Sequence, residues 1–249
     1  MAGKALICAA AVLLLSPVLI AADGDDGDDL TARQLADQAK DHLLDAKSVH
    51  LKLTDRSTDT RTSTTRPTSM DLALDQHGNC VGSMTMGSHG GSVDIVKQGA
   101  EVWMKPDADF WKAQVPGGEG DAVAELFKNR YIHGSTKDAM LKGMADTCDL
   151  TSFQKEVAGD DKASTLKKGT ETTVDGTKVV PLKGVEDGKR AVLYVTSDTP
   201  HRLVKATQRG GGTDLTLTFT DYDKPVPTAT PSADESVDVG KLQQELENA

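Results

Sequence analysis

Apolar residues recur along this chain at two periods, and the switch from one to the other marks out its elements. Ala32, Leu35, Ala36, Ala39, Leu43 and Ala46 fall on one face of a helix, and Thr31 with Gln34 forms the capping box that opens it. That stripe is mostly alanine, so the helix can lie close on a sheet. From Ser48 the period becomes two: Val49, Leu51 and Leu53 alternate with His50, Lys52 and Thr54, and Met70, Leu72 and Leu74 repeat the pattern. Similar runs follow at Cys80–Met86 and at 92–97, 101–105 and 110–115. Short strands in series, parted by glycine or asparagine, predict an antiparallel meander.

The middle of the chain reads as helical. Val123, Leu126, Phe127 and Tyr131 share a face, and a second helix is predicted from Ser135, with Met140, Leu141, Met144, Ala145 and Cys148 inward. After a polar connector, strands resume at 171–174, 178–182, 191–197, 203–208 and 215–219, with a tight turn at Val174-Asp175-Gly176-Thr177. The last of these, LTLTF, alternates apolar residues with threonine, as a sheet with one covered face requires. The sum is an α+β fold of about ten or eleven antiparallel strands, too many for a flat sheet. A curled half-barrel with helices on its concave face is expected, and such a layer leaves room for a ligand.

The ends differ from the middle. Lys4, an apolar run over 5–19 interrupted by Pro17, and the small residues Ala21 and Ala22 have the form of a cleavable signal peptide over residues 1–22. The run is short for a membrane span of about 20 residues. Residues 23–30 form an acidic Gly/Asp tether; its DGDDGDD lacks the ligand spacing of a calcium loop. A single domain is expected over 31–224, followed by a Pro/Thr/Ser-rich extended segment and tail over 225–249. Removal of the leader takes the formal charge from −10 to −11, because Lys4 leaves with it. A chain so acidic has no electrostatic drive toward nucleic acid or anionic lipid headgroups.

Export bears on the cysteines. Cys8 leaves with the leader, so Cys80 and Cys148 remain, an even number in a compartment that permits a disulfide. Two buried free thiols are the alternative.

Signatures of catalysis are missing from the sequence. GSHGGS at 87–92 lacks the nucleophile-elbow pattern, and the six histidines have no metal-ligand spacing. No catalytic residue, metal site or cofactor is therefore assigned, and the chain is read as a non-enzyme. Methionine is the distinctive inward residue: Met70, Met84, Met86, Met104, Met140 and Met144 all fall at positions expected to point inward, and thioether chains adapt to irregular apolar guests. Met84, Met86, Val123, Leu126, Phe127, Met140, Leu141 and Met144 form the candidate apolar-ligand pocket. The same residues would equally make a filled core.

HLLDAKSVHLKL (42–53), GAEVWMKPDADFWK (99–112), VDGTKVVPL (174–182), LYVTSDTPHRLVKA (193–206) and LTFTDYDKPV (217–226), together with the export junction and the tether, follow one another in an order that resembles actinobacterial envelope lipoproteins of the LppX/LprG type. The chain is more distantly similar to the LolA and LolB carriers. The resemblance implies a half-barrel of antiparallel strands wrapped around helices, with an apolar cavity that holds acylated lipids in some relatives. At the junction this chain departs from the family: Ile20-Ala21-Ala22 precedes Asp23, where the lipidated cysteine would stand, so no lipidation is expected. The expected protein is exported to the envelope or the medium. It is a monomer that binds a lipid or other apolar small molecule, and the alternative is an interaction or sensor protein with an envelope protein partner and a packed core.

Overall fold

Thr31 starts the first helix as its pattern requires. Its side chain accepts the Gln34 backbone N–H while the Gln34 side chain accepts the Thr31 N–H, which satisfies two orphan donors at the end of α1 (Ala32–Asp45). The structure is a computed structural model that describes residues 30–159 and 165–241. The expected signal peptide, Asp23, nearly all of the expected tether and the final residues of the tail lie outside the described residues. The described chain forms two compact units: residues 47–151 with 221–241, and residues 30–46 with 152–159 and 165–220.

In the first unit the chain runs through β1 (Ser48–Asp55), the short α2 (Thr58–Arg61), β2 (Pro67–Asp75), β3 (Cys80–Met86), β4 (Ser92–Gln98) and β5 (Glu101–Pro106). Helices α3 (Ala108–Gln114) and α4 (Gly120–Leu126) precede β6 (Tyr131–Ser135) and α5 (Ala139–Thr147). The strands pair antiparallel in chain order from β1 to β6. Cys80 opens β3 and Cys148 caps α5, and the two are bonded across the layers with their Cα atoms 5.6 Å apart.

Helix α6 (Leu150–Gly159) leads into the second unit, which holds β7 (Lys167–Lys168), β8 (Thr172–Val174), β9 (Thr177–Glu186), β10 (Lys189–Thr196), β11 (Leu203–Gly210) and β12 (Thr213–Thr220). Strands β9 to β12 form a meander, and β7 and β8 both pair with β9. The β8–β9 and β9–β10 hairpins turn on Asp175-Gly176 and Asp187-Gly188, all four residues at positive φ, the backbone that a tight two-residue hairpin needs. Helix α1 packs on β10 and β11 through its alanine stripe. Gln154 on α6 closes its far end, since its buried amide donates to the Leu43 and Ala46 carbonyls at the helix C-terminus. The chain then returns to the first unit, where β13 (Ser236–Asp238) pairs parallel with β6.

The α+β class is the expected one, with thirteen strands among the described residues in place of ten or eleven. The additional strands include the very short β7 and β13, which carry no period-two signal. Four local expectations are corrected. The run at 110–115 is helix α3, because Asp107 accepts the Phe110 N–H at 2.8 Å and starts a turn directly after Pro106. Tyr131 lies in strand β6 instead of on a helical face, and the helix expected from Ser135 begins at Ala139 behind Asp138. The polar connector contains α6, whose apolar face of Leu150 and Val157 is interrupted by the buried Gln154.

The Cys80–Cys148 bond closes a sequence separation of 68 residues. Unfolded, unreduced protein should therefore titrate no free thiol, and reduction should lower stability by up to about 4 kcal/mol in a denaturant titration. Two titratable thiols per chain would remove the bond from the structure.

Candidate functional site: the inner face of the first unit

Strand register in the first unit aligns alternate residues into rows that cross the sheet. One inner row is Leu53, Met70, Met84, Val93 and Pro106. The next is Leu51, Leu72, Gly82, Ile95, Met104 and Ile132. The third is Val49, Leu74, Cys80, Lys97, Val102 and Gly134. Apart from the two glycines every residue here is buried, and Lys97 is the one charge. Three of the inward-facing methionines thus sit in the first two rows, and Met86 lies buried beyond Met84 on β3.

Helix α5 lies over the third row. At one end Leu141 fills the space above Gly134: a Cβ there would stand 2.9 Å from the Leu141 Cδ1 and 2.6 Å from the Asp138 Oδ2. At the other end Cys148 bonds Cys80 on β3. Seven helical residues rise about 10 Å. Three strand spacings span about 14 Å, a difference that the side chains at the two ends bridge. Lys97, opposite Cys80 in the register, is 8 % exposed and donates to the Gly78 carbonyl at 2.9 Å. Burial pushes its pKa down, and Asp149, Asp75 and Asp146 oppose that shift. Two of these carboxylates flank the end of α5, where the helix carbonyls add negative potential toward the ammonium.

The expected pocket residues divide into three groups. Met84, Met86 and Leu141 are buried on the inner face, as their patterns imply. Met144, Val123 and Phe127 are half-buried, and the Phe127 ring stacks on Trp111 of α3 at 5.4 Å. Leu126 and Met140 do not point inward: they are 65 % and 53 % exposed. Helix α4 is only seven residues long and packs on α3, so Leu126 at its last position faces solvent. On α5 the inward position belongs to Leu141, which turns its neighbour Met140 outward. Trp111, Lys97 and Gly134 were not signalled: Trp111 sits in a run that reads as strand, and a lysine or glycine carries no apolar mark.

The surface grooves of the two units have a different character. One of about 330 Å³ in the first unit is edged by Asp94, Lys105, Asp107 and Lys128, and one of about 390 Å³ in the second by Lys178, Asp198 and Arg202. Neither is lined by methionine. Among the described residues no group of His, Cys, Asp and Glu is placed to hold a metal ion, and no helix is long and apolar enough to cross a membrane.

The fold is similar to that of a protein of the LppX/LprG type, which the sequence resembles. It matches LprF from Mycobacterium bovis with a TM-score of 0.55 at 15 % identity, over 81 % of this chain and 97 % of that one. The lipoprotein LppX from Mycobacterium tuberculosis aligns over 78 % of this chain and 96 % of its own, with a TM-score of 0.47 and 15 % identity. A LolA-superfamily protein from Nitrosomonas europaea aligns over 80 % and 96 %, with a TM-score of 0.23 and 10 % identity. At these identities the likeness is one of fold, and LprF carries it. No protein-family model matches the chain, and no curated protein matches it in sequence.

If Leu141 fills the space over Gly134, bulk on the strand must collide with it. Gly134→Val should cost about 1–3 kcal/mol in a urea titration. Adding Leu141→Ala should recover part of that loss, a coupling that only contacting residues show. Additive effects would separate α5 from β6.

Proposed function

We propose that this protein is a non-catalytic binder of a lipid or other apolar small molecule, which it takes between sheet and helix in the first unit and carries within the cell envelope. The observation that carries this reading is the buried inner face with Met70, Met84, Met86 and Met104, in a fold shared with LprF. Unbranched thioether chains repack around guests of irregular shape at little cost in strain. Leu141 and Met144 on α5 are the residues a guest would meet from the helical side. The leader and the acidic tether support export, with cleavage after Ala22 and no acyl chain on Asp23. The carrier acts as a monomer.

One observation favours a second reading. Met84, Met86 and Leu141 are as closed to solvent as any core residue, which suits an interaction or sensor protein whose sheet meets an envelope protein partner and whose interior is filled.

Added bulk separates the two. Leu141→Trp and Met144→Trp in a filled core force strain of about 1–3 kcal/mol and lower the unfolding midpoint. Where a ligand is accommodated, the new ring takes its place, so stability holds while binding of an apolar fluorescent dye falls. Loss of stability in both variants, with no dye bound by the parent protein, would replace the carrier reading with the second one.

A further inference from the structure

The outer face of the same sheet carries a row that ends in a histidine at each side: His50, Ala73, Val81, Val96, Trp103 and His133. The segment 221–241 starts beside one histidine and ends beside the other, and each ring has a carboxylate of that segment on one side and a carboxylate of a neighbouring strand on the other. Asp71 and Asp221 flank His50. Glu101 and Asp238 flank His133, with Oε2 of Glu101 2.8 Å from Nε2 and Oδ2 of Asp238 3.5 Å from Nδ1.

The two ends are built differently. At His50 the carboxylates already have permanent cations: Lys52 lies 2.9 Å from Asp71 and Lys224 lies 2.5 Å from Asp221. For Asp71, burial alone would raise the pKa, but hydrogen bonds from His50 and Lys52 outweigh it and hold it low; the Lys224 hydrogen bond does the same for Asp221. Hydrogen bonds with no titrating ring also fasten the segment here. Asp223 N–H donates to the Ser48 carbonyl at 3.0 Å, the Lys47 N–H donates to Asp223 Oδ1 at 2.9 Å, and the Ser48 hydroxyl donates to the Lys224 carbonyl at 2.5 Å.

At His133 the segment is held by the three-residue strand β13, by Arg130, which donates to the Ser236 carbonyl at 3.1 Å, and by Val239, which is buried. The charged groups that face the ring are Glu101 from β5 and Asp238 from β13. Among the described residues neither has a lysine or arginine within ion-pair distance; Lys105, on the same face, lies 3.6 Å from Asp94 and over the Tyr131 ring. The ring itself lies flat on Trp103, centroids 4.6 Å apart.

We propose that the segment 232–241 is an acid-held strap, whose grip on the β6 edge is set by the charge on His133. A protonated imidazole donates from both nitrogens and pairs with Glu101 and Asp238 together, and its charge lies over an indole face. A neutral ring has one N–H, so it can donate to only one of the two carboxylates, and their mutual repulsion goes uncompensated. Histidine is the side chain whose charge change ordinarily falls between about pH 5 and 8. The contribution to strap binding is therefore present on the acid side and lost as pH rises. The far end stays fastened at β1, and release of β13 leaves the backbone N–H and C=O groups of Tyr131–His133 as an open edge able to accept an added strand.

Hydrogen exchange of the full chain, expressed as protection relative to the unstructured rate at each pH, tests this. Peptides covering 236–239 should lose protection by about threefold to tenfold between about pH 5.5 and 8, the scale of one exposed ion-pair cluster. Peptides covering Cys80–Met86 should not change. His133→Gln should abolish the difference, Glu101→Gln should reduce it, and His50→Gln should leave it in place. Equal protection of 236–239 at both pH values, a difference that survives His133→Gln, or the same difference in Cys80–Met86 would overturn the proposal.

Discussion

Cross-strand register in the first unit is the constraint on which the rest of the structure depends. Side chains alternate along a strand, so a slip of one residue would turn Met70, Met84 and Met104 to solvent and bring the row from His50 to His133 inside. Two features hold the alignment. Gly82 takes φ +153°, and a Cβ there would stand 1.9 Å from the Asp71 carbonyl oxygen, so the chain approaches at that point more closely than any side chain allows. Cys148 can reach Cys80 only while Cys80 faces inward, which ties the same alignment to the helical layer.

From that register follow two faces of different character. The inner face is apolar, and α5 lies over one of its rows with Leu141 at one end and the disulfide at the other. Lys97 is the exception, kept there by the Gly78 carbonyl and the carboxylates around the end of α5. Helix α5 is fixed at both ends, by Cys148 through the disulfide and by its N-cap Asp138, which accepts the Ser135 N–H at the end of β6. The outer face carries an apolar centre between polar ends, and the segment 221–241 has both of its own ends beside that row.

Much of this architecture was legible where the chemistry is local. The Thr31–Gln34 box, the Asp175-Gly176 turn and the period-two runs other than that at 110–115 each depend on neighbours in sequence, and each stands as read. Elsewhere the apolar pattern misleads. Phe110 and Trp111 are both buried in adjacent positions, and alternation cannot distinguish a strand there from the helix that Asp107 starts. Tyr131 shares the apolar spacing of the helix before it until pairing of β6 with β5 and β13 makes it part of a strand. Leu126 and Met140 are apolar and exposed, and hydrophobicity alone could not place them outside the site. The histidine row was invisible for a different reason. It requires the register of six strands at once, and His50 and His133 are 83 positions apart in the chain.

Native mass spectrometry of protein purified from the cells that make it decides whether the inner face of the first unit takes an apolar molecule. A loaded protein gives a mass above that of the polypeptide by one lipid or other apolar molecule, which organic extraction removes. A bare polypeptide mass, from protein that also binds no apolar dye, would contradict such binding.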